Sequence, residues 1–142
     1  MEVISKSTGD TKKLAGKIAE KIRPGAVLAL YGDLGSGKTT FVSYLVEALG
    51  LNARVQSPTF VMVRKYTGGR ETPVVNHIDL YRLTSKEEVE EIGVPELISE
   101  SNTVTVIEWP ELAEHLLPDD TVKIKFAYID ENTRKINVQN QN

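Results

Sequence analysis

The glycines, lysine and threonine of Gly32-Asp33-Leu34-Gly35-Ser36-Gly37-Lys38-Thr39 are spaced to hold a chain of phosphates. Glycine permits positive φ and close backbone approach, so successive N–H groups can converge on phosphate oxygens. Lys38 supplies a cation that reaches the β/γ-phosphates, and Thr39 a hydroxyl suited to a magnesium ion. The stretch also has the context this chemistry requires. An apolar run over residues 26–31 precedes it and reads as a buried strand. Phe41, Leu45, Val46 and Leu49 follow at helical spacing, so the loop opens into a helix whose N-terminal dipole favours anions. These residues predict a nucleoside-triphosphate site.

Such a site needs an acidic partner for the metal and a group that orients the nucleophile. Glu108 ends the β-branched run 103–107, where loops at the carboxyl ends of α/β strands gather around ligands. It is the candidate for magnesium, at a post that often carries Asp. Asp79 lies in Asn76-His77-Ile78-Asp79-Leu80-Tyr81-Arg82 and could orient or activate the attacking water. Strand alternation puts His77, Asp79 and Tyr81 on one face, with His77 placed to hold Asp79 or report on a partner. Ser57-Pro58-Thr59-Phe60 combines a pinned backbone with two short hydroxyls, which suits a loop that senses the terminal phosphate. A plain Ser-Pro turn would read the same way. Arg64, Lys65, Arg70 and Arg82 could contact phosphate or a partner.

The elements that must position these groups alternate between the two periods. Residues 2–7 read as a short strand, and 10–22 as an amphipathic helix stopped by Pro24-Gly25. The helix after the glycine-rich loop ends at Gly50. Runs 60–66 and 74–81 read as strands joined by Thr67-Gly68-Gly69-Arg70. Ser85 and Glu88 form a capping box for an acidic helix ending near Gly93, with a further helical turn over 95–98. Pro110 suits the start of a helix over 111–117. Residues 121–129 and 135–138 read as a terminal hairpin around Asp130-Glu131-Asn132. The pattern predicts an α/β phosphate-loop NTPase fold, a central mixed sheet with helices on both faces.

With 142 residues, the chain has the length of a single domain. It has no cysteine, which excludes a disulfide framework and thiolate metal sites. His77 and His115 show no metal-ligand spacing. No apolar run approaches a membrane span and the first residues lack a signal-peptide pattern, so a cytoplasmic protein is expected. A net charge of −3 argues against nucleic acid as a direct partner. Charge is uneven, with lysines gathered near the N-terminus and glutamates between Glu87 and Glu100. The acidic run is a solvated helix face or a docking surface for a basic partner.

Taken together, Ser7, Thr11, Leu14-Ala15, the 32–41 segment, Ser57-Pro58-Thr59-Phe60, His77-Ile78-Asp79-Leu80-Tyr81-Arg82 and Ile107-Glu108-Trp109-Pro110-Glu111 resemble the TsaE family nearly end to end. These are bacterial ATPases of transfer-RNA threonylcarbamoyladenosine synthesis. The resemblance implies a small ATPase, with ATP and Mg²⁺ as ligands, that supports turnover of the TsaB–TsaD pair and meets tRNA only through that complex. It implies that Asp33, Leu34, Gly35, Ser36, Gly37, Lys38, Thr39 and Thr40 bind nucleotide, and that Thr39 and Glu108 hold magnesium. Asp79 and Lys38 would serve hydrolysis, and the loop bearing Thr59 would act as a switch. Thr11, Glu111 and Arg134 are further candidates for the adenosine side. A small-molecule kinase is the main rival, although Thr67-Gly68-Gly69-Arg70 is short for a lid. A guanine-nucleotide switch would carry an Asn-Lys-x-Asp segment, which this sequence lacks.

Overall fold

An unbroken apolar strand belongs where both sheet faces are covered. Residues Val27–Tyr31 (β2) form such a strand, and its first four residues are buried. The computed structural model describes residues 1–55, 62–68 and 73–140. Among them, β2 is central to a mixed sheet with β1 (Glu2–Ser5), β3 (Val63–Tyr66), β4 (Val74–Asp79), β5 (Thr103–Glu108), β6 (Val122–Asp130) and β7 (Thr133–Gln139). The spatial order is β1-β7-β6-β2-β5-β4-β3. Strand β2 runs parallel to both neighbours, β5 and β6, and β4 runs parallel to β5. The outer pairs β3/β4, β6/β7 and β1/β7 are antiparallel. The sequence expectation of an α/β fold with a mixed central sheet is met.

Helices cover both faces. Helix α1 (Thr8–Lys21) and helix α2 (Lys38–Ala48) pack Leu14, Ile18, Phe41 and Leu45 against Leu28, Leu30, Val104 and Val106. The opposite face packs Val27, Ile78 and Ile107 against α3 (Lys86–Glu91), α4 (Val94–Ile98) and the 3₁₀ helix Pro110–Leu116. Two-residue alternation in β4 and β5 therefore turns His77, Asp79, Val106 and Glu108 toward the α1/α2 face. Among the described residues, no helix is long and apolar enough to cross a membrane.

Several boundaries shift for identifiable reasons. Helix α1 starts at Thr8 because Ser7 caps it, its Oγ accepting from Asp10 N at 3.3 Å. At α3 the Ser85 hydroxyl accepts from Glu88 N, while the Glu88 carboxylate reaches back to Thr84 N at 3.1 Å. The segment after Pro110 winds as a 3₁₀ helix entered from Trp109, whose φ of 57° is left-handed. Strand β4 stops at Asp79, so Tyr81 does not continue its face: Asp79 Oδ1 accepts from Tyr81 N at 2.8 Å and turns the chain. Tyr81 is exposed. Strand β3 begins at Val63; Phe60, Val61, Gly69 and Arg70 of the expected hairpin lie outside the described residues, as do Ser57 to Thr59.

The turn from β2 into α2 depends on Gly32 and Gly37. Gly32 has φ 148°, and a Cβ there would lie 2.7 Å from both the Phe126 carbonyl oxygen and Ser36 Oγ. Gly37 caps α2 at φ 102°. Gly32→Ala combines backbone strain with a backbone clash and should destabilise the protein by about 1–3 kcal/mol. Gly16, inside α1 with open space around its Cβ position, is the control. Gly16→Ala should stabilise by up to about 1 kcal/mol, because alanine is the better helix former. Urea unfolding of the two variants checks both signs.

Candidate active site at the carboxyl ends of the parallel strands

Register brings the charged groups together. Leu30 of β2 is the Cα partner of Glu108 in β5, and Glu108 is in turn the Cα partner of Asp79 in β4. Both carboxylates therefore sit beside the exit of β2, where the 32–37 turn leads into α2. Asp79 and Glu108 are buried, and so is Lys38 at the first position of α2.

Lys38 folds back into the turn. Its Nζ donates to the Gly32 carbonyl at 2.5 Å and lies 3.8 Å from the centroid of the Trp109 ring. Burial lowers the pKa of this ammonium, and the nearby Glu108, Asp79, Glu111 and Asp33 carboxylates oppose that shift. Trp109 holds its place in a left-handed conformation that is strained for a bulky residue, and its ring packs 4.9 Å from that of Tyr81. In this conformation the ring forms an aromatic wall over the lysine.

The Thr39 hydroxyl lies 3.4 Å from Glu108 Oε1 and 3.3 Å from Oε2. Hydroxyl and carboxylate together form the hard-oxygen donor set that suits Mg²⁺, which keeps several waters and uses one or two protein carboxylates with substrate phosphates. Among the described residues, no group of three or more His, Asp or Glu side chains could hold an ion unaided. A cleft of about 250 Å³ lies above these groups, lined by residues that include Gly35, Lys38, Thr39, Asp79, Glu108 and Arg134. Leu34 is exposed at its rim. The buried Ser36 Oγ in its floor has no hydrogen-bond partner among the described residues.

A second hollow of about 140 Å³ continues from the first through Ser36, Gly37, Thr40 and Arg134. It reaches Thr11, whose Oγ1 is 2.7 Å from Ser5 Oγ. Arg134 bridges the two, its Nη2 donating to Gly35 O at 3.2 Å while its guanidinium lies over the Tyr128 ring at 4.7 Å. Its Nε is buried without a hydrogen-bond partner among the described residues. Thr11 and Arg134 thus share one hollow. Glu111 does not line it; it is exposed at the start of the 3₁₀ helix, on the side of Lys38. Asp33 is exposed in the turn, where its carbonyl accepts from Ser36 N at 3.1 Å. Thr59 lies outside the described residues.

His77 departs from its expected role. Its Nε2 is 2.5 Å from Glu108 Oε2, so it holds Glu108 and not Asp79. The cause is register: His77 pairs with Val106, and its side chain leans along the shared face toward the next inward residue of β5. The polar face of β4 is buried, not solvated. Sequence reasoning missed the contributions of Trp109 over Lys38 and of Tyr66, whose hydroxyl lies 3.0 Å from His77 Nδ1. The first had a signal, since a tryptophan between a strand-end acid and a proline must turn beside the site. Tyr66 had none, because its partner is named only by β3/β4 pairing.

Comparison with known proteins identifies the family. Residues 5–136 match the family model of the threonylcarbamoyl adenosine biosynthesis protein TsaE. A tRNA threonylcarbamoyladenosine biosynthesis protein TsaE from Rickettsia bellii is 36% identical over 99% of this chain and 95% of its own length. The protein of the same name from Bacillus subtilis is 36% identical, covering 89% of this chain and 77% of its own. The crystal structure of B. subtilis YdiB superposes with a TM-score of 0.77 at 30% identity, covering 96% of this chain and 82% of that one. The chain belongs to the TsaE family of threonylcarbamoyl adenosine biosynthesis proteins.

Proposed function

We propose that this protein binds ATP with Mg²⁺ in the 32–39 loop and hydrolyses it, and that hydrolysis supports turnover of the TsaB–TsaD pair in the threonylcarbamoylation of tRNA. The observation that carries the reading is the convergence of buried Lys38, Asp79 and Glu108 with Thr39 at one cleft. The family membership supports the pathway.

The residues divide the work by chemistry. Backbone N–H groups of the 32–39 loop and the α2 N-terminus cradle the phosphates. Lys38 exchanges the Gly32 carbonyl for β/γ-phosphate oxygens, and Trp109 keeps its ammonium in the cleft. Thr39 and Glu108 would hold Mg²⁺, which would supply positive charge against the negative charge that develops in the transfer. Asp79 accepts a hydrogen bond from a water and aligns it on the γ-phosphorus. Water oxygen bonds to that phosphorus, the bond to the β–γ bridging oxygen breaks, and ADP leaves with inorganic phosphate, which keeps one of the water's hydrogens while the other is released to solvent as a proton. The hollow bounded by Thr11 and Arg134 receives the adenosine side. A cytoplasmic site of action follows from tRNA as the ultimate object.

Removing the Lys38 cation should weaken ATP binding by about 1.5–3 kcal/mol, the worth of a charge-assisted hydrogen bond. Calorimetric titration of Lys38→Ala measures this, and an unchanged affinity would remove Lys38 from the site. Asp79→Asn keeps the shape and loses the carboxylate, so the hydrolysis rate should fall on the order of 100-fold or more, with ATP affinity little changed. Phosphate release with purified TsaB–TsaD should exceed release by the protein alone, with no added acceptor in either reaction. Dependence on a small acceptor would instead identify a kinase.

A further inference from the structure

Glu108 is a charged group 3% exposed. What holds it there is a chain of buried polar side chains beneath the site, outside the cleft. His77, fully buried, has Nε2 2.5 Å from Glu108 Oε2 and Nδ1 3.0 Å from the Tyr66 hydroxyl. An ionised carboxylate only accepts, so the imidazole proton on Nε2 must point at Glu108. In the neutral ring Nδ1 is then an acceptor, and Tyr66 donates its O–H to it. With a neutral ring the hydrogen bonds run Tyr66 → His77 → Glu108. Tyr66 is itself buried on β3, His77 on β4 and Glu108 on β5. Three adjacent strands thus contribute one residue each.

The geometry points to Tyr66 and His77 as positioning residues that commit one Glu108 oxygen to the protein interior and leave the other as the single oxygen offered to a divalent cation. This rests on the reading of Thr39 and Glu108 as the cation pair. Thr39 Oγ1 lies at long range from both oxygens, 3.4 Å from Oε1 and 3.3 Å from Oε2, whereas His77 bonds Oε2 alone among the described residues. A carboxylate locked in this way binds through one oxygen. Mg²⁺ and its octahedral shell accept that arrangement, while Ca²⁺ gains from bidentate carboxylates. The pair therefore sets how tightly Mg²⁺ binds and disfavours Ca²⁺.

The test measures cation binding directly. A non-hydrolysable ATP analogue is titrated calorimetrically into the full chain in EDTA, in Mg²⁺ and in Ca²⁺. The variants are His77→Leu, His77→Gln, whose amide can still donate to Glu108, and Tyr66→Phe, which keeps the ring and removes only the hydroxyl. For His77→Leu the apparent Mg²⁺ affinity should fall about 10-fold or more, the usual cost of losing a group that orients a metal ligand. Binding in EDTA should stay at the wild-type level, and the preference for Mg²⁺ over Ca²⁺ should shrink. His77→Gln should restore most of the loss, and Tyr66→Phe should show a smaller change in the same direction. Unchanged Mg²⁺ affinity and Mg²⁺/Ca²⁺ preference in Tyr66→Phe and a folded His77→Leu would overturn the inference. So would equal losses in the Leu and Gln variants, which would make the ring a packing element. If the wild-type chain binds the analogue equally with and without Mg²⁺, the reading of Thr39 and Glu108 as the cation pair fails, and the inference with it.

Discussion

The site depends on the parallel pairing of three strands. Because Leu30, Glu108 and Asp79 stand in register across β2, β5 and β4, two carboxylates arrive beside the loop that carries the lysine. A shift of one residue in β5 would turn Glu108 to the opposite face and put Ile107 beside the loop. The register is protected by burial on both faces: Val104 and Val106 belong to the α1/α2 core and Ile107 to the core beneath the short helices. The hydrophobic pattern that folds the sheet is the same pattern that aims the acids.

Charge explains the rest of the arrangement. Lys38, Asp79 and Glu108 are all buried, and a buried charge is stable only when paired and hydrogen-bonded. Gly32 O and the Trp109 ring hold the lysine, His77 holds Glu108, and Tyr81 N bonds Asp79. The strained backbone at Trp109 and the glycine-only conformation at Gly32 are costs met by the surrounding packing. Both residues contact the lysine. The cleft thus presents both signs of charge.

The glycine-rich loop, its strand and its helix were legible in the sequence because their signals are local: three glycines, a buried apolar run and helical spacing. Glu108 was legible as a strand-end acid, and Asp79 as an acid on the polar face of a strand expected to run on to Tyr81. The partner of His77 was not, since choosing between Asp79 and Glu108 requires the β4/β5 register, and nothing local encodes which strand lies beside which. The same holds for Tyr66, and for Arg134, which reaches Gly35 from the far hairpin. The winding of residues 110–116 as a 3₁₀ helix reflects the left-handed entry at Trp109, a tertiary demand that overrides helix propensity.

The most direct test of the account is a crystal structure of the protein with a non-hydrolysable ATP analogue and Mg²⁺. The triphosphate should lie in the 32–39 loop with Lys38 Nζ on its β/γ-oxygens, the ion beside Thr39 and Glu108, and the adenosine toward Thr11 and Arg134. A nucleotide bound elsewhere, or an ion in contact with neither Thr39 nor Glu108, would contradict it.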